Sequence, residues 1–182
     1  MKFQKYMAVG ILGLTMALGF SGCQSENQKN QDAYRKIGIN SMAEGDYDKA
    51  VKSFQKALDT SLGKIGAEEI DICYYKAAAQ FAKKDYDGAI ETYTSLIDYD
   101  KENANAYYLR GSVYLDTDKK DKAFKDYKNA VKYAGREYEI YEGIYENLTN
   151  KGETEEAKNY LKKAQRSEEH TSELQSRRHL VC

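Results

Sequence analysis

The sequence contains no proline and no tryptophan, and only two of its 182 residues are histidines and three are cysteines. Without proline, nothing removes a helical N–H group or forces a kink, so the chain can form long uninterrupted helices. Neither sign of charge dominates, because 28 Lys and Arg stand against 29 Asp and Glu, for a formal net charge of −1. The chain lacks the basic surplus of a nucleic-acid-binding protein, and we predict an all-α fold.

The scarcity of histidine also argues against catalysis. Both histidines, His170 and His179, lie close to the C-terminus, and the sequence has no phosphate-binding glycine loop, paired-cysteine motif or nucleophile motif. The plentiful carboxylates fall mostly in turns and at helix positions expected to face solvent. We therefore expect no catalytic residue, no metal site, no cofactor and no small-molecule substrate, and we do not predict an enzyme.

The N-terminus has the layout of an export signal. Lys2 and Lys5 precede an uncharged apolar run, residues 7–20, which is followed by Ser21-Gly22-Cys23. Such a run forms roughly 21 Å of helix at about 1.5 Å per residue, which is short for the roughly 30 Å hydrocarbon core of a bilayer. The sequence therefore predicts a cleaved signal at residues 1–22 rather than a membrane span.

The small residues directly before Cys23 resemble the lipobox of bacterial lipoproteins, in which the cysteine is lipidated and becomes the mature N-terminus. The resemblance implies lipidation of Cys23 and a protein anchored by its lipid to a bacterial membrane, facing the extracytoplasmic side. An ordinary signal peptide with an incidental cysteine is the alternative. Residues 23–30 would then comprise the lipidated cysteine and a flexible polar tether.

The C-terminal end looks foreign to the rest of the chain. Residues 166–176 read RSEEHTSELQS, which resembles the in-frame translation of a common sequencing-library adapter, and an adapter index with its constant flank accounts for residues 177–182. We predict that residues 166–182 are an assembly artefact, and that the protein's own sequence is interrupted after Gln165.

The middle of the chain is repetitive. Four segments align without internal gaps when they are anchored on Ala50, Ala89, Ala123 and Ala157. The last three copies follow one another with a period of 34 residues, and a five-residue insertion, residues 65–69, separates the first copy from the second. Each copy has two apolar stripes at helical spacing with a short polar break between them, which predicts a helix, a turn and a helix.

Small and large side chains recur at fixed places in the copies. We expect Gly38 to face Ala50, and Gly111 to face Ala123, so that the two helices of a copy approach closely. Large side chains at the twenty-fourth position are expected to fill the space between consecutive copies; they are Phe54, Tyr93, Tyr127 and Leu161. A single copy cannot bury its apolar faces alone, so the copies must stack.

The period and these residues resemble tetratricopeptide repeats. The resemblance implies an all-α, superhelical solenoid of four helix–turn–helix repeats within one domain, residues 31–165. The repeats span residues 31–64, 70–103, 104–137 and 138–165, the last of which is incomplete. A coiled coil is the main alternative for such a charged helical chain, but a sustained seven-residue apolar repeat is absent.

In repeats of this family the first helices line a concave groove, and their second, fifth, ninth and twelfth positions point inward. The resulting candidates for partner binding are Arg35, Ile39, Met42, Tyr74, Phe81, Tyr108, Ser112, Leu115, Glu139, Glu142 and Glu146. The apolar members would contact apolar side chains of a partner, and the three glutamates would favour lysine or arginine. The alternative is that the aromatic members only pack the stack.

The resemblance therefore implies a membrane-anchored, extracytoplasmic scaffold that binds an unidentified protein or peptide in its groove. Two alternatives stay open. One is a periplasmic or outer-membrane assembly or secretion-pilot lipoprotein, and the other is the docking module of an enzyme whose catalytic domain is missing from this sequence.

Overall fold

A computed structural model describes residues 26–61, 63, 65–135 and 137–162. The predicted signal peptide, Cys23 and the predicted adapter segment lie outside these residues. The described part contains eight helices and no strand. They are α1 (Glu26–Ala43), α2 (Tyr47–Asp59), α3 (Ala67–Ala82), α4 (Tyr86–Tyr99), α5 (Ala104–Asp116), α6 (Lys120–Ala134), α7 (Tyr138–Asn150) and α8, whose described residues are 154–162.

The helices form a stack of four antiparallel pairs, as the repeat pattern predicted. Consecutive helices pack against each other from α1 through α7, and the first helices of neighbouring pairs also touch, α1 with α3 and α5 with α7. Three apolar clusters follow one another along the chain. The first two are each centred on one repeat and completed by the first helix of the next, and the last spans the third and fourth repeats. The fold is an all-α solenoid whose stability comes from nearest-neighbour contacts.

The same turn closes the first helix of every repeat. The backbone N–H of the sixteenth position donates to the carbonyl of the eleventh over 2.8–2.9 Å, as between Asp46 and Ser41. The residue between helix and turn is left-handed in all four copies: Gly45, Lys84, Asp118 and Gly152 have φ values of 78°, 67°, 57° and 80°. This hydrogen-bonded turn ends a helix without proline. It explains how four breaks form in a chain that has no proline.

Polar side chains begin several of the helices. The carboxylate of Asp46 accepts from the backbone N–H of Lys49 over 3.0 Å, and Asp85 and Asn103 cap α4 and α5 in the same way. Each cap satisfies a backbone donor that has no partner within its helix. Polar residues therefore set the helix starts.

Two segments differ from the sequence prediction. The first helix begins at Glu26, so residues 26–30 are helical where a flexible tether was predicted. Within the insertion, residues 67–69 form the first turn of α3, so this helix starts before the predicted second copy. The Glu69 carboxylate accepts a hydrogen bond from the backbone N–H of Gly66 over 2.8 Å, which stabilises this extra turn.

Gly38 and Gly111, the glycines of the predicted close approach, lie against large side chains. A β-carbon added to Gly38 would lie 2.5 Å from the ring of Phe54, and one added to Gly111 would lie 2.8 Å from the ring of Tyr127. The nearest side chain to each glycine is therefore the large residue at the twenty-fourth position of its own repeat. Both rings are 0% exposed. The missing β-carbons leave the space that each ring occupies.

We expect Gly38→Ala to destabilise the protein. An alanine in a helix gains up to about 1 kcal/mol over glycine, but overfilling a packed core costs about 1–3 kcal/mol. The Phe54 ring cannot move easily, because it is fully buried and stacks on Tyr75 with 5.6 Å between ring centroids. Urea unfolding of the protein should show a net loss of about 1 kcal/mol or more.

The exposed control on the same helix is Asn40→Ala, which should be neutral or slightly stabilising. Adding Phe54→Leu to Gly38→Ala should restore part of the loss. If the Gly38→Ala variant were as stable as Asn40→Ala, the contact between Gly38 and the Phe54 ring would not constrain the packing of α1 against α2.

Candidate functional site

The first helices α1, α3, α5 and α7 carry all eleven predicted groove residues. Eight of them are half-buried: Arg35, Ile39, Met42, Tyr74, Phe81, Tyr108, Glu142 and Glu146. Glu139 is exposed, and Ser112 and Leu115 are buried at 2% exposure each. Nine of the eleven residues therefore keep surface that a partner could contact.

Ser112 and Leu115 belong to the interior. Leu115 is part of the apolar cluster between the third and fourth repeats. The Ser112 hydroxyl donates to the backbone carbonyl of Tyr108 over 2.9 Å and accepts from the Asn147 amide over 2.8 Å. These two predicted groove residues are corrected to packing positions, because α7 lies directly against this side of α5.

The aromatic candidates Tyr74 and Tyr108 expose only part of their surface to a partner, because each also packs within the stack of helices. Tyr74 lies 6.4 Å from the ring of Tyr93, and its hydroxyl donates to the Asn103 side chain over 2.6 Å. Burial raises the pKa of Tyr74 above its usual range. Tyr108 lies against Gly143 of α7, where a β-carbon would clash with the phenol. Each ring packs one face against the stack and leaves the remainder accessible.

Arg35 is held by the second repeat. Its Nε donates to the Asp71 carboxylate over 3.0 Å, and its guanidinium lies 5.3 Å from the centroid of the Tyr75 ring. Burial lowers the pKa of Arg35, but its hydrogen bond to Asp71 and the charge of that carboxylate outweigh burial and raise it. The positive charge of Arg35 is thus neutralised within the protein.

A cleft of about 290 Å³ opens beside Tyr74, where the second and third repeats meet the loop that leads into α7. Its lining residues are Tyr74, Asp100, Glu102, Asn103, Ala104, Asn105, Tyr133 and Glu137. Only Tyr74 belongs to the predicted partner-binding set. Asn105 is at an inward-pointing second position of its repeat, and the remaining residues come from loops and helix ends that a rule for helix positions does not reach.

The cleft is acidic. Asp100, Glu102 and Glu137 line it, and none of the three forms a salt bridge with a lysine or arginine in the described ranges. Burial raises the pKa of Glu137, and the charge of Glu139 adds to the effect. The negative charges that line the cleft would attract a cation that enters it.

Other classes of site find no support in the described residues. These residues contain no cluster of three or more histidine, cysteine, aspartate or glutamate side chains that could hold a metal ion. None of their helices is long and apolar enough to cross a membrane.

Comparison with known families agrees with this architecture. Models described as TPR repeat or tetratricopeptide repeat match residues 35–93, residues 77–118, and residues 104–136 with 146–171. Together they cover most of the chain. This chain is a tetratricopeptide-repeat protein. No curated protein sequence matches it.

Solved structures share the tetratricopeptide fold. A crystal structure of MamA is 26% identical, with a TM-score of 0.60, and the match covers 79% of this chain and 81% of that one. MamA from Desulfovibrio magneticus RS-1 is 22% identical with a TM-score of 0.61, covering 80% and 78%. The Arabidopsis OM64 TPR domain is 17% identical with a TM-score of 0.56, covering 68% and 98%. The latter two likenesses concern the fold alone.

One buried ion pair was missed by the sequence analysis. Arg110 of α5 donates two hydrogen bonds to the Asp126 carboxylate of α6, one from Nε over 2.7 Å and one from a second nitrogen over 2.9 Å. It also donates to the Thr94 hydroxyl of the preceding repeat over 3.0 Å. The two charged side chains are only 16% and 4% exposed. In sequence the pair is separated by sixteen residues, so no helical spacing connects them.

We expect Asp126→Leu to cost about 3 kcal/mol of unfolding free energy, because it leaves the Arg110 charge buried without its partner. The double variant Arg110→Met and Asp126→Leu should recover most of the loss, since two apolar side chains can replace a buried pair. Chemical unfolding of the two variants measures the difference.

The control for this pair is Asp98→Asn, which removes an exposed partner of Lys101 and should change stability by less than about 1 kcal/mol. If Asp126→Leu were as mild as this control, the buried pair would contribute little to the stack.

Proposed function

We propose that this tetratricopeptide-repeat protein is a membrane-anchored, extracytoplasmic scaffold that binds a partner protein or peptide along its first helices. The acidic cleft beside Tyr74 is the observation that carries the proposal. The fold is one of interaction scaffolds, and we assign it no reaction. A partner that crosses the cleft would place a lysine or arginine among Asp100, Glu102 and Glu137.

The charge of α7 favours the same kind of partner. Glu139, Glu142 and Glu146 recur at helical spacing, so they share one face of that helix. A basic segment that leaves the cleft along α7 would meet them in turn. Exposed charges of this kind add more to the association rate and to specificity than to affinity.

The first repeats offer apolar contacts instead. Ile39 and Met42 pack against the first apolar cluster and Phe81 against the second, and each keeps part of its surface accessible. Half-exposed apolar side chains that are fixed by a core can bind without a large loss of side-chain entropy. We therefore expect a partner with an apolar part near α1 and α3 and a basic part near α5 and α7.

The charge preference can be tested with two fluorescent peptides that differ only in lysine or glutamate at the polar positions of an amphipathic sequence. We expect the protein to bind the lysine peptide more tightly in fluorescence anisotropy at low salt. The triple variant Asp100→Asn, Glu102→Gln and Glu137→Gln should weaken this binding about tenfold, because three nearby charges are lost.

The matched control removes the same charge from exposed carboxylates elsewhere, with Glu44→Gln, Glu91→Gln and Asp121→Asn. It should keep most of the affinity. Equal weakening by both triple variants would mean that only net charge matters, and the cleft would then have no special role.

The proposed anchor is the thiol of Cys23, which follows the apolar run and two small residues in the sequence. In a bacterial host grown with labelled palmitate, we expect the protein to take up the label and to enter the detergent phase of a Triton X-114 extraction. Cys23→Ser should abolish both properties, because the thiol that would carry the lipid is lost.

Cys73→Ser is the control for this experiment, since it removes a half-buried thiol of α3 and should keep the label. Labelling of the Cys23→Ser variant would contradict the proposed anchor and leave the scaffold proposal intact.

A further inference from the structure

The solvent face of α6 carries a row of lysines. Lys125, Lys128 and Lys132, the lysine row, are exposed and follow one another at spacings of three and four residues, so they share one face of the helix. None of the three forms a salt bridge with a described residue. The helix has five lysines against two aspartates, and one of these, Asp126, is buried in its ion pair. Most of the positive charge of α6 is therefore directed to solvent.

The acidic face of α7 has the same spacing. Glu139, Glu142 and Glu146, the glutamate row, also follow one another at three and four residues. Each row spans two helical turns, or roughly 10.5 Å at about 1.5 Å per residue. The two rows do not pair within one chain, since the lysine row has no salt bridge to a described residue. Their equal spacing and opposite charge would let them pair between two chains.

The charges of the chain are balanced in number but separated in space. The formal net charge is only −1, so whole copies of the protein repel each other weakly. Opposite charges on separate helices of such a molecule favour association, because the basic face of one copy can meet the acidic face of another. Self-association is therefore favoured by the charge distribution and is not opposed by the net charge.

A flat anionic membrane fits the lysine row less well. The helix α4, the second helix of the preceding repeat, carries Asp87, Glu91 and Asp98 as exposed acidic side chains and has no lysine or arginine. A membrane surface laid across the second helices would meet these carboxylates together with the lysines. A partner of the width of one helix meets the lysines alone, and α7 is such a partner.

We propose that the partner of the acidic groove is a second copy of this chain, whose lysine row on α6 lies against the glutamate row on α7. The inference rests on the proposed function, since it identifies the basic partner that the groove binds. Each copy offers both rows, and the contact joins two different surfaces. Association can therefore continue from copy to copy unless the geometry closes it.

Sedimentation velocity of the full chain in detergent at low salt tests this contact. The α6 variant carries Lys125→Gln, Lys128→Gln and Lys132→Gln, and the α7 variant carries Glu139→Gln, Glu142→Gln and Glu146→Gln. We expect the wild-type protein to self-associate and each variant to do so about tenfold more weakly, because three charge pairs are lost. An equal mixture of the two variants should recover association, since one supplies the glutamate row and the other the lysine row.

Recovery in the mixture also shows that both variants are folded. The matched control is a row of the same spacing on α2, changed by Lys49→Gln, Lys52→Gln and Lys56→Gln. It removes the same charge, but α2 has three lysines against two aspartates and is less basic than α6. This variant should associate as the wild-type protein does. Equal weakening by the α2 and α6 variants would overturn the contact, because only net charge would then matter.

Carbodiimide cross-linking locates the contact, because it joins an amine directly to a carboxylate that touches it. In an equal mixture of unlabelled and 15N-labelled wild-type chains, we expect cross-linked peptides of mixed label that join α6 to α7. Their absence from an associating protein would overturn the proposed surfaces.

The remaining outcomes separate this inference from the proposed function. A wild-type protein that stays monomeric but binds the lysine peptide would exclude the second copy as partner and leave the proposed function standing. A protein that does neither would overturn both. A monomer that binds phosphatidylglycerol vesicles, and loses this binding in the α6 variant, would assign the lysine row to a membrane surface and overturn the inference.

Discussion

The structure depends on one contact between small and large side chains. In each of the first three repeats a glycine or alanine on the first helix, Gly38, Ala77 or Gly111, comes eight positions into the copy, and an aromatic ring on the second helix comes at the twenty-fourth. The rings of Phe54 and Tyr127 occupy the space that the two glycines leave open. Because a packed interior tolerates little change in volume, this contact sets the distance between the helices of a pair. The distance in turn determines how the next pair can stack.

Much of the fold could be predicted from the sequence, because it rests on periodic patterns. The 34-residue period and the paired apolar stripes were sufficient to place every helix pair, and the polar breaks marked each turn. The sequence did not reveal that residues 67–69 of the insertion extend α3, since that depends on the Glu69 carboxylate meeting the N–H of Gly66. The helical start of α1 was missed for a similar reason: residues 26–30 are polar and exposed, and no apolar stripe marks them.

The candidate site was less predictable, because it depends on contacts between repeats. A rule of helix positions selected nine residues that keep accessible surface, but it also included Ser112 and Leu115, which are buried where α7 meets α5. It could not find the cleft either, since Asp100, Glu102 and Glu137 lie in loops and helix starts contributed by different repeats. The pair Arg110 and Asp126 escaped notice because two charges on separate helices of a charged chain give no local signal. Only the three-dimensional structure brings such residues together.

The three charged features differ in what they do for the stack. The pair of Arg110 and Asp126 links the two helices of the third repeat, and the contacts of α1 with α3 link the first repeat to the second, so both have a structural role. The carboxylates of the cleft join no helices. Asp100 and Glu102 lie in one short loop, where the Asp100 carboxylate accepts a hydrogen bond from the backbone N–H of Glu102 over 3.0 Å, and Glu137 lies in another. None of the three forms a salt bridge with a lysine or arginine among the described residues. Their charges therefore remain accessible to a partner, and in the proposed complex a basic side chain is the ligand that they would attract.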